Sequence, residues 1–216
     1  MNGQTTPLSI TQPVYEEDSA RADVYALIAR LFYAGPDAHL LAAIAGADAI
    51  AGEDETAPLA AAWRALGAAA AVMDAQAAQT EYDSVFVGTG KAEITPYASH
   101  YLAESMQERV LVRLRETLAE LGLAKNQYAA ECEDHFSGLC EVMRHLIVAG
   151  SGDVAVQKQK NFFLEYVDPW YGNFCITVLA SPNTNFYKPV AVFAKAFLDV
   201  EGGFFRNDLT VGAGHL

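Results

Sequence analysis

The sequence predicts an all-α protein, a single-domain bundle of about eight or more helices, and three observations carry that expectation. Alanine, the strongest intrinsic helix former, is the commonest of the 216 residues, while the β-branched residues that favour strands are comparatively sparse. Apolar residues recur at three- and four-residue spacing in one segment after another, and no strand-like alternation is sustained over several segments. With 52% of its residues hydrophobic and 19% charged, a chain of this length hides roughly 70% of the surface its unfolded form exposes. It needs neither disulfides nor metal to hold a core, and intrinsic disorder is excluded.

Taken in order, residues 1–17 are polar, carry two prolines and no Lys or Arg, and read as a flexible tail rather than a secretory signal. A helical domain is expected over 18–203. Asp18 or Ser19 caps a first helix whose apolar residues Val24, Tyr25, Leu27, Ile28, Leu31 and Phe32 share one face, and Gly35-Pro36 stops it. A short helix over 37–45 and a loop over 46–55 lead to Pro58, placed for the first turn of a long third helix reaching toward Val85. Two glycines and a proline make 86–97 an ordered loop. A fourth helix over 98–121 ends at Gly122. The polar connection 123–132 separates helical groups at about 18–122 and 131–203 and is a possible hinge. Glu133-Asp134 opens a fifth helix with Phe136, Leu139, Cys140, Met143, Leu146 and Ile147 on one stripe, ended by Gly150 to Gly152. Helices over 153–167, 170–180 and about 187–200 follow, cut by Pro169, Pro182 and Gly202-Gly203, and 204–216 reads as a tail. No uninterrupted apolar run approaches the ~20 residues needed to span a bilayer.

Acidic residues outnumber basic ones 27 to 14, a formal net charge of −13 that repels nucleic acid and suits a basic partner. Cys132, Cys140 and Cys175 show no paired or metal-ligand spacing, which fits reduced thiols in a cytoplasmic protein. The cluster Glu131, Glu133, Asp134, His135 has two readings. Neighbouring carboxylates raise a His pKa and ready it for metal binding or general-base work, or the acids cap a helix and complement its dipole. Gly88-Thr-Gly90-Lys91 has neither the spacing nor the strand of a phosphate loop, and no GxSxG nucleophile turn is present. Most aromatics of the last third are core filler, whereas Tyr82, Phe86, Tyr97 and Tyr101 border the glycine loop and are expected to line a groove for an apolar, cationic peptide.

Four blocks stand in order along the chain: Tyr82-Asp-Ser-Val85-Phe86-Val-Gly88-Thr-Gly90, Pro96-Tyr97-Ala-Ser99-His-Tyr101, Glu131-Cys-Glu133-Asp134-His135, and Phe162-Phe163 with Pro169-Trp170 and Phe186-Tyr187. From about residue 20 to 200 the chain resembles the TorD/DmsD/NarJ-like redox enzyme maturation proteins, with Val85 where Leu is common and Cys132 where Pro often stands. The resemblance implies a TorD-like fold and a non-enzymatic cytoplasmic chaperone. Such a chaperone binds the twin-arginine signal peptide and the apo form of a molybdoenzyme, of the dimethyl sulfoxide reductase type or an anaerobic dehydrogenase. It assists insertion of the molybdenum cofactor and delays export until maturation. It further implies a peptide site at Val85, Phe86, Gly88, Gly90, Pro96, Tyr97, Ser99, Tyr101, Asp134 and His135, joined here by Tyr82. The carboxylates of Glu131, Glu133 and Asp134 are placed to pair with the two arginines, and the aromatics to take the apolar run. No cofactor of its own is expected beyond weak guanine-nucleotide binding at most, and the chain is expected as a monomer or a dimer that exchanges helices. The alternative is a helical metal-binding or hydrolytic enzyme built on Glu131, Glu133, Asp134 and His135.

Overall fold

The computed structural model describes residues 12–48, 57–88, 90–102, 107–123 and 132–211. Among them are ten α-helices, one π turn and no strand, and the one β pairing is an isolated bridge between Tyr97 and His135. The helices are α1 (Gln12–Tyr33), α2 (Ala38–Ala45), α3 (Pro58–Val72), α4 (Ala75–Tyr82), α5 (Ala98–Leu102), α6 (Gln107–Glu120), α7 (Phe136–Val148), α8 (Asp153–Tyr166), α9 (Tyr171–Ala180) and α10 (Tyr187–Val211), with the π turn at Asp83–Val87.

The longest packing seam runs between α1 and α7. α8 packs on α7, α10 holds α9 and α3, and α3 carries α2. On α1 the buried residues Ala22, Tyr25, Ile28, Ala29, Leu31 and Phe32 recur every three or four positions, which turns one continuous face inward. Phe32 is the meeting point of the core. Its ring lies 5.8 Å from Phe86, 5.1 Å from Phe136, 5.2 Å from Phe174 and 5.9 Å from Tyr187, so one side chain joins α1 to the π turn, α7, α9 and α10. Such pairs add about 0.5–1.5 kcal/mol each beyond the area they bury.

The bundle carries the expected all-helical architecture, and several boundaries differ for physical reasons. α1 already covers Gln12–Tyr33, so the helix runs ahead of the expected cap, and Asp18 instead binds Arg21 within the helix at 2.8 Å. The expected third helix divides at Met73, whose extended backbone lets Asp74 cap α4 by accepting from the Ala77 N–H. α4 then widens into the π turn, closed at Gly88. There φ is +66°, and a Cβ would come within 2.2 Å of the Lys91 carbonyl, so only glycine fits. α7 starts at Phe136, after Glu133-Asp134 rather than on them. α10 does not stop at Gly202-Gly203, and residues 204–211 are helix rather than tail. Tertiary contact outweighs glycine's poor propensity: Phe205 is fully buried with its ring 5.3 Å from Phe163, and the Arg21 guanidinium sits over both Phe204 and Phe205. Most of the 46–55 loop, the 1–17 tail up to residue 11, the connection 124–131 and residues 212–216 lie outside the described residues.

Two acidic side chains pin the π turn and its loop to the far end of the chain. Glu81 accepts the N–H groups of Asn185, Phe186 and Tyr187 at 2.7, 3.0 and 2.9 Å, capping α10 across the bundle. Glu93 accepts from Ser181 Oγ and Asn183 Nδ2 at 2.5 and 2.7 Å.

Candidate functional site

The Asp-His pair stitches two helix starts together. Asp134 is 1% exposed, and its Oδ2 accepts the Ser99 N–H at 2.9 Å in the first turn of α5. Its carbonyl takes the Ala98 N–H at 3.0 Å, and the Phe136 N–H donates to the Pro96 carbonyl at 2.8 Å, so 96–98 and 134–136 run antiparallel for one pairing. His135 caps α7 through Nδ1, which accepts the Ser137 N–H at 3.2 Å; an accepting Nδ1 places the ring proton on Nε2. The Tyr97 ring meets the His135 ring edge-on at 5.0 Å. Asp134 Oδ1 is buried with no hydrogen-bond partner. Of the two readings of the cluster, the geometry realises helix capping. Among the described residues no three His, Cys, Asp or Glu side chains come together as a metal site.

The remaining expected residues divide by burial. Tyr82, Val85, Phe86 and Pro96 are in the interior. Phe86 packs against Phe32, Tyr82, Phe174 and Tyr187, and the Tyr82 hydroxyl donates to the Tyr33 carbonyl at 2.6 Å. Their burial in the core, where Phe32 supplies the matching surface, replaces the groove-lining role expected of Tyr82 and Phe86. Gly88 and Gly90 shape the loop with positive φ. Tyr97, Ser99 and Tyr101 are half-buried, Tyr101 stacked on Trp170 at 5.2 Å with burial raising its hydroxyl pKa. Glu131 lies outside the described residues. Glu133 binds Arg115 bidentately, at 2.9 and 3.0 Å, which raises the guanidinium's pKa.

A groove of about 800 Å³ opens on the other side of His135. One wall is the end of α1 and the corner after it, with Ala29, Arg30, Tyr33, Ala34, Gly35 and Asp37. The floor has Leu118 from α6 and Leu123 just beyond it. The opposite wall is Cys132, Glu133 and His135, then Ser137, Gly138, Glu141, Val142 and His145 of α7. Arg30 donates to Asp37 at 2.7 Å, and Asp37 Oδ1 accepts the Leu40 N–H as the cap of α2, the largest cause of its lowered pKa. Gly35 holds the corner tight: a Cβ there would come 2.7 Å from the Gln79 backbone. Of the expected site residues, Glu133 and His135 line this groove. The α1 wall and the lower face of α7 were not singled out from sequence. The available signal was the spacing of Gly138, Glu141, Val142 and His145, which puts them on one helical face without saying what that face meets.

The family model described as nitrate reductase delta subunit matches residues 53–176, more than half of the chain. The chain belongs to that family. The match runs from the approach to α3 into α9, so it takes in the Asp-His stitch and the α7 wall of the groove, while the α1 wall lies outside it. Nitrate reductase delta family members are maturation chaperones of molybdenum-containing oxidoreductases rather than catalysts, which overturns the reading of the Glu131 to His135 cluster as an enzyme's active centre. No curated protein matches the chain. Among the described residues no helix is long and apolar enough to cross a membrane.

Proposed function

We propose that this member of the delta family acts in the cytoplasm, binding the twin-arginine signal peptide and the apo form of a molybdoenzyme precursor and holding them until the molybdenum cofactor is in place. The observation that carries the reading is the groove between α1 and α7: apolar along Ala29, Leu118, Leu123 and Val142, and bordered by the carboxylates of Asp37, Glu133 and Glu141, which meet Arg30, Arg115 and, at a longer 3.4 Å, Arg144. At about 800 Å³ it lies within the range of ligand pockets, roughly 300–1,000 Å³. A signal peptide with two arginines ahead of an apolar run presents the complementary pattern: guanidinium groups for the acidic rim and apolar side chains for the floor. In this reading Asp134 and the capping nitrogen of His135 act as positioning groups. They fix where α7 begins, and so where its groove face stands relative to α1.

The test is isothermal titration of the purified chain with a synthetic twin-arginine peptide at low and at moderate salt. Binding of micromolar affinity or better that weakens as salt rises is the expected result, because exposed charge pairs are screened over about 10 Å at 0.1 M. A well-folded protein that binds neither the peptide nor any molybdoenzyme precursor would sink the proposal.

A further inference from the structure

We infer that Glu141 is the carboxylate that receives a guanidinium of the bound peptide, and that Glu133 is not. This rests on the peptide-binding reading above and assigns its charge recognition to one side chain. Among the described residues three carboxylates line the groove, and they differ in how far each is already committed. Glu133 gives Oε1 to Arg115 Nε and Oε2 to Arg115 Nη2, at 2.9 and 3.0 Å, the two-pronged match that a planar guanidinium makes best. A peptide arginine would have to displace one already bound. Asp37 spends Oδ1 on the Leu40 N–H and Oδ2 on Arg30 at 2.7 Å. Glu141 has, among the described residues, one long contact, to Arg144 at 3.4 Å, three residues on, with both side chains about half exposed at 52% and 47%. A pair of that length and exposure contributes little and gives way readily.

Position agrees with availability. Gly138, Glu141, Val142 and His145 follow one another at three- and four-residue spacing along the α7 wall, so Glu141 stands beside the apolar Val142 on the face that lines the groove. A carboxylate at the edge of an apolar floor takes an arginine head while the neighbouring surface takes its stem and the apolar residues that follow. The planar fork makes arginine a better occupant than lysine there.

The experiment measures the affinity of the full chain for two synthetic peptides. One has two consecutive arginines ahead of an apolar run; in the other both arginines are glutamine. Wild type, Glu141→Gln and Glu133→Gln are compared, with melting curves to verify folding; Glu141 is exposed, so its isostere leaves the fold intact. The expected result is that Glu141→Gln weakens the arginine peptide about tenfold, leaves the glutamine peptide within about twofold, and shows a coupling that Glu133→Gln lacks. A Glu141→Lys variant is expected to prefer a peptide with glutamates in place of the arginines. Equal affinity of wild type and Glu141→Gln for the arginine peptide, or coupling that tracks Glu133 instead, overturns the assignment while leaving peptide binding in place. Failure of the wild type to bind either peptide overturns the peptide-binding reading, and this assignment with it.

Discussion

Replacing Asp134 separates a structural carboxylate from a binding one. The side chain is 1% exposed, one oxygen accepts the Ser99 N–H at 2.9 Å, and the other has no partner. A hydrogen bond to a charged group is worth about 1.5–3 kcal/mol net, and an unsatisfied buried polar atom costs about 1–3 kcal/mol. In Asp134→Ala the accepted bond and the unpartnered oxygen both go. Ser99 loses its cap, and the net change should resemble an ordinary cap deletion, a loss of about 1 kcal/mol. Asp134→Asn keeps an acceptor for Ser99 and removes a desolvated charge, so the weaker bond and the relieved burial nearly cancel, leaving stability within about 0.5 kcal/mol of wild type. For a chain of this size each kcal/mol moves the melting temperature by about 2–4 °C, so calorimetry resolves the alanine variant from the other two. Peptide affinity, measured well below the melt, should be unchanged in the Asn variant, which keeps the Ser99 bond, and should fall in the Ala variant, which loses the bond that positions the start of α7. An Asn variant that loses as much stability as Ala would show that the carboxylate itself is needed, and a stable Asn variant with about tenfold weaker peptide affinity would show that Asp134 meets the ligand directly.

Two further outcomes follow from contacts elsewhere in the bundle. Glu81→Ala leaves three N–H groups at the start of α10 without their acceptor, and should cost about 2 kcal/mol in urea unfolding, with faster amide exchange at Asn185, Phe186 and Tyr187; a loss under about 0.5 kcal/mol would show the cap to be idle. Alkaline pH should destabilise the fold, because burial pushes the Cys175 thiol up to about 12, the Cys140 thiol higher still, and the Tyr25, Tyr171 and Tyr187 hydroxyls above their usual range. The folded chain holds these protons after the unfolded chain has released them. That stability is intact below about pH 9 and is lost as pH rises through the folded values, roughly 4 kcal/mol from Cys175 alone by pH 12. Urea midpoints that stay level to about pH 11 would contradict this, and Cys175→Ala should flatten part of the slope.

Local chemistry made much of the fold legible. Capping residues, prolines and three- to four-residue apolar spacing act within a turn or two of themselves. The end of α1 at Gly35-Pro36, the start of α3 at Pro58, and the helices α8 and α9 with their Pro169 and Pro182 stops could therefore be read from neighbouring residues alone. The Asp134-His135 pair was legible as a helix start for the same reason, and the block order pointed to the family. Where the deciding force comes from far along the chain, the sequence could not speak. Gly202-Gly203 reads as a stop, yet α10 continues because Phe205 finds Phe163 and the Arg21 guanidinium finds Glu201 beside it, partners contributed by α8 and α1.

The groove shows the same division most clearly. Composition pointed to an acidic, all-helical chain, and the motifs marked Glu133 and His135, because charge and helix capping are properties of residue types and short spacings. That Phe86 and Tyr82 go to the core, that Arg115 of α6 occupies Glu133, and that Arg30, Tyr33 and Asp37 line one groove with Glu141 and His145 was decided by how the helices pack on one another. A pocket between two helices is a relation between segments far apart in sequence, and no periodicity within either helix encodes its partner.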